Sequence, residues 1–105
     1  MAYVMFQYDR PTDPHRWNDY NQQVRDWIAQ LLQIPGAVSF VAYRTSDGAS
    51  PDKITMLEFR TVEDTRRAQA SEQMRNVLDG LRSLGVTVQV LLVERSPFTP
   101  EPISA

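Results

Sequence analysis

Ile54-Thr55-Met56-Leu57-Glu58-Phe59 carries large apolar side chains on both of its alternating sets, Ile54 and Met56 on one and Leu57 and Phe59 on the other. Successive strand side chains point to opposite faces, so a sheet wetted on one side reads apolar, polar, apolar. This run does not read that way. Neither do Tyr3-Val4-Met5-Phe6, Phe40-Val41-Ala42-Tyr43 or Val86-Thr87-Val88-Gln89-Val90-Leu91-Leu92-Val93. The sheet they build needs cover on both sides, and the chain has two helical regions to supply it.

Outward from residues 54–59, the punctuation of the chain sets the other elements. A first strand is predicted over about Ala2 to Tyr8, ending at Asp9-Arg10-Pro11, where proline fixes the backbone and removes a donor. Asp13-Pro14 opens a helix: the aspartate accepts orphan amide hydrogens, and proline gives up a donor that had no partner. Trp17, Tyr20, Val24, Trp27, Ile28, Leu31 and Leu32 follow at spacings of three and four, one apolar stripe ended by Pro35-Gly36. A second strand, about Ala37 to Arg44, passes through the turn-rich Thr45 to Asp52 into a third, Lys53 to Arg60, as a hairpin. Thr61-Val62-Glu63-Asp64 has the form of a capping box with Asp64 in the glutamate position, and Ser71-Glu72-Gln73 is a second cap in the same stretch. A short helix near 62–70 is therefore expected to restart into one presenting Met74, Val77, Leu78, Leu81 and Leu84, ended by Gly85. A fourth strand follows from Val86 to about Arg95.

The order is βαββαβ, an α+β ferredoxin-like sandwich over residues 1–95 with both helices on one face of a four-stranded, mainly antiparallel sheet of mixed pairs. The first and third strands are expected to be neighbours running parallel. Residues 96–105, Ser96-Pro97-Phe98-Thr99-Pro100-Glu101-Pro102-Ile103-Ser104-Ala105, form an extended Pro-rich tail.

If the second sheet face were bare, about six large apolar side chains would meet water at roughly 1.5–3 kcal/mol each. The total, on the order of 10–15 kcal/mol after discounting, rivals the whole stability of a domain, about 5–15 kcal/mol. A homodimer through the sheet faces is the expected remedy, with Phe98 of the tail reaching the partner.

Composition excludes several chemistries. A net charge of −2 with scattered basic residues gives no footprint for nucleic acid. With no cysteine and one histidine there is no disulfide framework, thiolate nucleophile or multi-histidine metal site, so neither a metal nor a cofactor is expected. The N-terminal apolar run stops at Gln7, too early for a signal peptide or membrane span, and a cytoplasmic location without membrane contact is the expectation.

The strand order, the helix restart between Thr61 and Leu84, Pro35-Gly36 before the second strand and the two-sided apolar sheet together resemble the dimeric α/β-barrel superfamily. Within it, the chain is most similar to small proteins of the antibiotic biosynthesis monooxygenase type. The resemblance implies a homodimer with facing sheets and a pocket in each protomer between sheet and helices. Some such proteins oxidise aromatic compounds with molecular oxygen and no cofactor, and others degrade haem, isomerise or dehydrate small molecules. The haem-degrading kind carries a histidine on the second helix, and this chain has none between Thr61 and Leu84.

Candidate site residues each carry a plainer reading. His15, in the first turn of the first helix, is either a proton-transfer group or a solvated helix residue. Trp17 and Tyr20 line a pocket for a planar substrate or, with Trp27, pack the core. Gln7, Glu58 and Gln89 interrupt apolar strands and form a mutually satisfied network, a ligand site or a polar patch in the dimer interface, with a desolvated Glu58 as a candidate general base. Tyr8, Arg10, Tyr43 and Arg44 lie at strand ends, able to hold an anion or phenol or simply to face solvent. Two functions stay open. One is a cofactor-independent monooxygenase or related enzyme acting on an aromatic or polyketide-like compound, with Trp17, Tyr20, Tyr8, Tyr43 and Arg44 binding and His15 or Glu58 moving a proton. The other is a non-catalytic dimer that binds a small ligand or serves a regulatory partner.

Overall fold

The computed structural model describes all 105 residues. It comprises β1 (Ala2–Tyr8), α1 (Pro14–Leu32), β2 (Ala37–Arg44), β3 (Lys53–Phe59), α2 (Val62–Gln69), α3 (Glu72–Ser83) and β4 (Gln89–Glu94). The caps are those the sequence announces. Asp13 accepts from the His15 amide with Pro14 in the first turn, Thr61 from the Asp64 amide and Ser71 from the Met74 amide. The cap at Ser71 is why the second helical region breaks into two rods.

The sheet order is β2-β3-β1-β4, and every neighbouring pair is antiparallel. The expected parallel pairing of the first and third strands is therefore corrected. The α1 crossover returns β2 parallel to β1, and the hairpin then reverses β3, so β3 must oppose β1. The sharing of faces is nonetheless as expected: Tyr3, Met5 and Gln7 stand opposite Glu58, Met56 and Ile54, while Val4 and Phe6 stand opposite Leu57 and Thr55.

β4 starts three residues later than expected. Gln89 is paired with Gln7, and beyond Tyr8 the chain of β1 turns away through Asp9-Arg10-Pro11, so residues 86 and 87 lie past the end of the strand they would pair with. Val86 is buried all the same, and it belongs to the core cluster.

The core lies between the inner sheet face and the helices. Val4, Phe6, Leu57 and Phe59 meet Tyr20, Trp27 and Leu31 of α1, Ala68 of α2, and Met74, Val77 and Leu81 of α3. α1 and α3 close tightly because Gly80 lacks a side chain: a Cβ there would lie 2.7 Å from the Trp27 ring. Gly36, which ends the turn after α1, has φ +88°, and a Cβ on it would meet the Asp64 carboxylate at 2.9 Å. Glycine is required there for both conformation and space.

Candidate functional site

Where α1 begins and β1 ends, aromatic and charged groups converge. Tyr8, the last residue of β1, faces inward, and Tyr20 reaches it from the second turn of α1 because Asp13-Pro14 sets the helix start. Their hydroxyl oxygens are 2.7 Å apart and both residues are buried. Trp17, one turn earlier, stacks on Tyr20 with ring centroids 6.2 Å apart, and Trp27 meets Tyr20 edge-on at 6.0 Å.

Arg10 closes the outer end. Its backbone amide donates to the Asp52 carboxylate at 3.0 Å and its Nε at 3.2 Å, while Cζ lies 5.1 Å above the Trp17 ring. The clamp leaves the two terminal nitrogens of the guanidinium without an acceptor in the chain. Arg10 borders a groove of about 420 Å³ together with Pro11, Thr12, Pro14, Trp17 and Asp52. Across the Pro11-Thr12 loop a second, polar groove of about 390 Å³ runs past Asp9, Asp13, Arg16 and Gly85.

The helix-sheet interior itself is nearly filled. Its cavity measures about 30 Å³ and is walled by Phe6, Val24, Trp27, Ile28, Leu31, Phe40, Val77 and Leu81, with Tyr8 and Thr55 as the polar members. That is room for a water molecule or two, which needs about 10–15 Å³ each, and not for an aromatic substrate.

Burial pushes both phenols above the ordinary tyrosine range, and the shared hydrogen bond adds to the rise at Tyr8, against an opposing pull from Arg10. At neutral pH the pair is protonated. Two hydroxyl hydrogens share one contact, so the pair offers a donor to a further acceptor and cannot serve as a base. Beside it, Lys53 is lowered from the usual lysine range, chiefly by partial burial and then by Arg10.

Of the expected site residues, the fold brings Tyr8, Trp17 and Tyr20 together, with Arg10 beside them. Arg44 is exposed at the end of β2, opposite Lys53. The others lie apart. His15 is exposed on the solvent side of α1, its Nε2 3.7 Å from the Asp19 carboxylate. Glu58 lies on the outer sheet face and accepts a hydrogen bond from Ser39 at 3.2 Å. Tyr43 is on that same outer face, opposite Ile54 and 54% exposed. Gln7 and Gln89 pair directly, but Glu58 sits at the far end of β3, so the three polar residues form no single cluster. Sequence reading passed over Asp52 and Lys53. The sole lysine of a chain with ten arginines was the available signal. No three carboxylate or imidazole groups converge as metal ligands.

A family model described as "Domain of unknown function (DUF1330)" matches residues 1–96. The chain belongs to the DUF1330 family. No curated protein matches it. Among solved structures, this DUF1330 protein is similar to a Deinococcus radiodurans protein of the antibiotic biosynthesis monooxygenase type, with 12% identity and a TM-score of 0.73 over 100% of this chain and 98% of that one. It is similar also to SnoaB, a cofactor-independent oxygenase from Streptomyces nogalater, with 19% identity and a TM-score of 0.65 over 95% of each chain. A third is an ethyl tert-butyl ether d (ethd) family protein from Bacillus halodurans, with 13% identity and a TM-score of 0.70 over 91% of this chain and 99% of that one. At these identities the likeness establishes the monooxygenase-type ferredoxin-like fold and not an activity. No helix of this DUF1330 protein is long and apolar enough to cross a membrane.

Proposed function

We propose that this DUF1330 protein is a homodimer that binds a small planar organic anion, an aromatic carboxylate or phenolate in kind, at the groove between Arg10 and Trp17. The observation that carries this reading is the Arg10 guanidinium, fixed through Nε by Asp52 over the face of the Trp17 ring with its terminal nitrogens unoccupied. A planar fork held in this way suits two-point capture of a carboxylate, and the half-buried rim of Trp17 in the same groove suits the edge of the ligand's body. The filled interior supports binding at this mouth over turnover in an enclosed pocket. Pairing through the outer sheet faces is supported by the apolar side chains exposed there, Val41 and Tyr43 among them.

The test is a titration of the protein with benzoate, salicylate and 1-naphthoate, followed by calorimetry and tryptophan fluorescence. Arg10→Gln is expected to weaken binding at least about tenfold, a loss of about 1.4 kcal/mol. Equal affinity in a folded Arg10→Gln variant, or no binding at millimolar concentration, would refute the reading.

A second reading, a cofactor-independent monooxygenase acting on an electron-rich aromatic compound, has one observation in its favour beyond the shared fold. The spare hydroxyl donor of the Tyr8–Tyr20 pair is placed to steady an anion that forms next to it. His15 and Glu58 do not face that pair, so the substrate's own acidity would have to supply the anion. Oxygen uptake with naphthols and hydroquinones, lost in Tyr20→Phe, would support this reading; no uptake would remove it.

A further inference from the structure

β1 and β4 part at the end of the sheet that leads to Arg10. Their register runs from Ala2 opposite Glu94 to Gln7 opposite Gln89, and its continuation would set Thr87 opposite Asp9. By then the chains have separated. Asp9 and Thr87 instead border the polar groove of about 390 Å³, together with Thr12, Asp13 and Arg16, and that volume is ordinary for a small-molecule site.

Its hydrogen-bonding groups are largely unused. The Thr87 amide makes no backbone hydrogen bond, the Thr12 and Thr87 hydroxyls and the Arg16 guanidinium have no partner in the chain, and Asp13 uses only Oδ1, on the His15 amide. Gly85 seats Arg16: a Cβ there would lie 2.7 Å from Nη1, so glycine lets the guanidinium rest against the backbone. Buried Leu84 and Val86 add an apolar lining.

Charge selects the occupant. Asp9 and Asp13 offset Arg10 and Arg16, so an anion or a cation entering the groove would meet two groups of its own sign. A neutral hydroxyl gains from both kinds, because it donates to a carboxylate and accepts from a guanidinium. A sugar ring carries several hydroxyls at its rim and C–H groups on its faces, which suit Leu84 and Val86. Arg10, Pro11 and Thr12 border this groove and the one beside Trp17, so a single ligand can reach into both.

We propose that the polar groove is a subsite for a polyhydroxyl group, a pyranose in kind, carried by the same ligand whose carboxylate Arg10 holds. The ligand class narrows from aromatic carboxylates to their glycosides, with Asp13, Arg16 and Thr87 recognising the sugar. This inference rests on the Arg10–Trp17 reading.

Calorimetric titration with salicylate and with salicylic acid 2-O-β-D-glucoside, which share the ring and the carboxylate, tests it. The glucoside is expected to bind at least about tenfold more tightly, the worth of one or two hydrogen bonds. In Arg16→Gln, a change at an exposed position, the ratio of the two affinities should fall below about threefold. The ratio compares two ligands on one protein, so a general loss of stability cancels from it. A ratio near one in the wild type, or a ratio that Arg16→Gln does not move, would overturn the proposal and leave the Arg10–Trp17 site standing. Isophthalate, with a second carboxylate in place of the sugar, should gain nothing over benzoate; a gain equal to that of the glucoside would assign the groove to charge and overturn the proposal too. Failure of both salicylate and its glucoside to bind at millimolar concentration would remove both readings.

Discussion

The two faces of the sheet begin with similar chemistry and end in different surroundings. On the inner face Val4, Phe6, Leu57 and Phe59 are at most 2% exposed, covered by α1, α2 and α3. On the outer face Tyr3, Met5, Ile54 and Met56 are only half-buried by their own neighbours, and Val41 and Tyr43 are exposed. Apolar character alone therefore does not bury a residue; a partner layer does. One layer comes from this chain, and the proposed homodimer provides the other.

The comparison is sharpest where one residue from each face is truncated. Phe59→Ala, at a fully buried inner position, is expected to lower stability by about 3–5 kcal/mol. Met56→Ala, on the outer face of β3, should cost less than about 1 kcal/mol in a dilute, dissociated protein. Urea unfolding at nanomolar concentration distinguishes them, and equal losses would erase the distinction between the faces.

Next in size is a charge at the centre of the outer face, where Met5 stands opposite both Met56 and Leu91. Met5→Asp is expected to weaken self-association at least about a hundredfold, roughly 3 kcal/mol, as read by sedimentation equilibrium. A wild-type protein that sediments as a 12.1 kDa species at micromolar concentration would break the comparison outright.

Smaller again is the buried phenol pair. Tyr20→Phe removes one hydroxyl and should cost about 1–2 kcal/mol at pH 7. Both phenols are raised on folding, so the folded state holds their protons more tightly than the unfolded chain does. Their stabilisation is complete below the unfolded tyrosine value of about 10 and is lost as pH rises above it. Lys53, lowered on folding, works in the opposite sense below its unfolded value of about 10.4. Measured against a Tyr8→Phe/Tyr20→Phe variant that retains Lys53, the wild type should lose stability more steeply between pH 10 and 11. Parallel curves would deny the pair its role.

The smallest expected effect concerns the tail. Phe98 is 93% exposed and Ile103 80% exposed, so neither contributes to the core of its own protomer. Deleting residues 97–105 should leave the unfolding midpoint of the dissociated chain unchanged while weakening self-association severalfold. An unaltered dissociation constant would remove the tail from the interface.

Most of the architecture was legible because its signals are short-ranged. Asp13-Pro14, Thr61 and Ser71 announce helix starts through hydrogen bonds made within three residues, and the stripe from Trp17 to Leu31 repeats within a turn. The strand direction was misread because it depends on the path of the whole crossover. The late start of β4 depends on where a strand more than eighty residues away turns aside. The site was legible only in part. Tyr8, Trp17 and Tyr20 announced themselves as aromatic groups near element ends, whereas Asp52 gained its role through a bond to Arg10 forty-two residues distant. His15 and Glu58 drew attention by their chemistry, yet the fold set them on outward-facing surfaces.

By itself the sequence determined the element order, the helix restart and the presence of two greasy sheet faces, since each follows from contacts between residues close along the chain. Only the tertiary structure decided which of those faces the helices cover, that the interior closes to a cavity the size of a water molecule or two, and that Arg10, Asp52, Trp17 and Lys53 gather at one end. Pairing across tens of residues is set by how whole layers pack, and no local pattern encodes it.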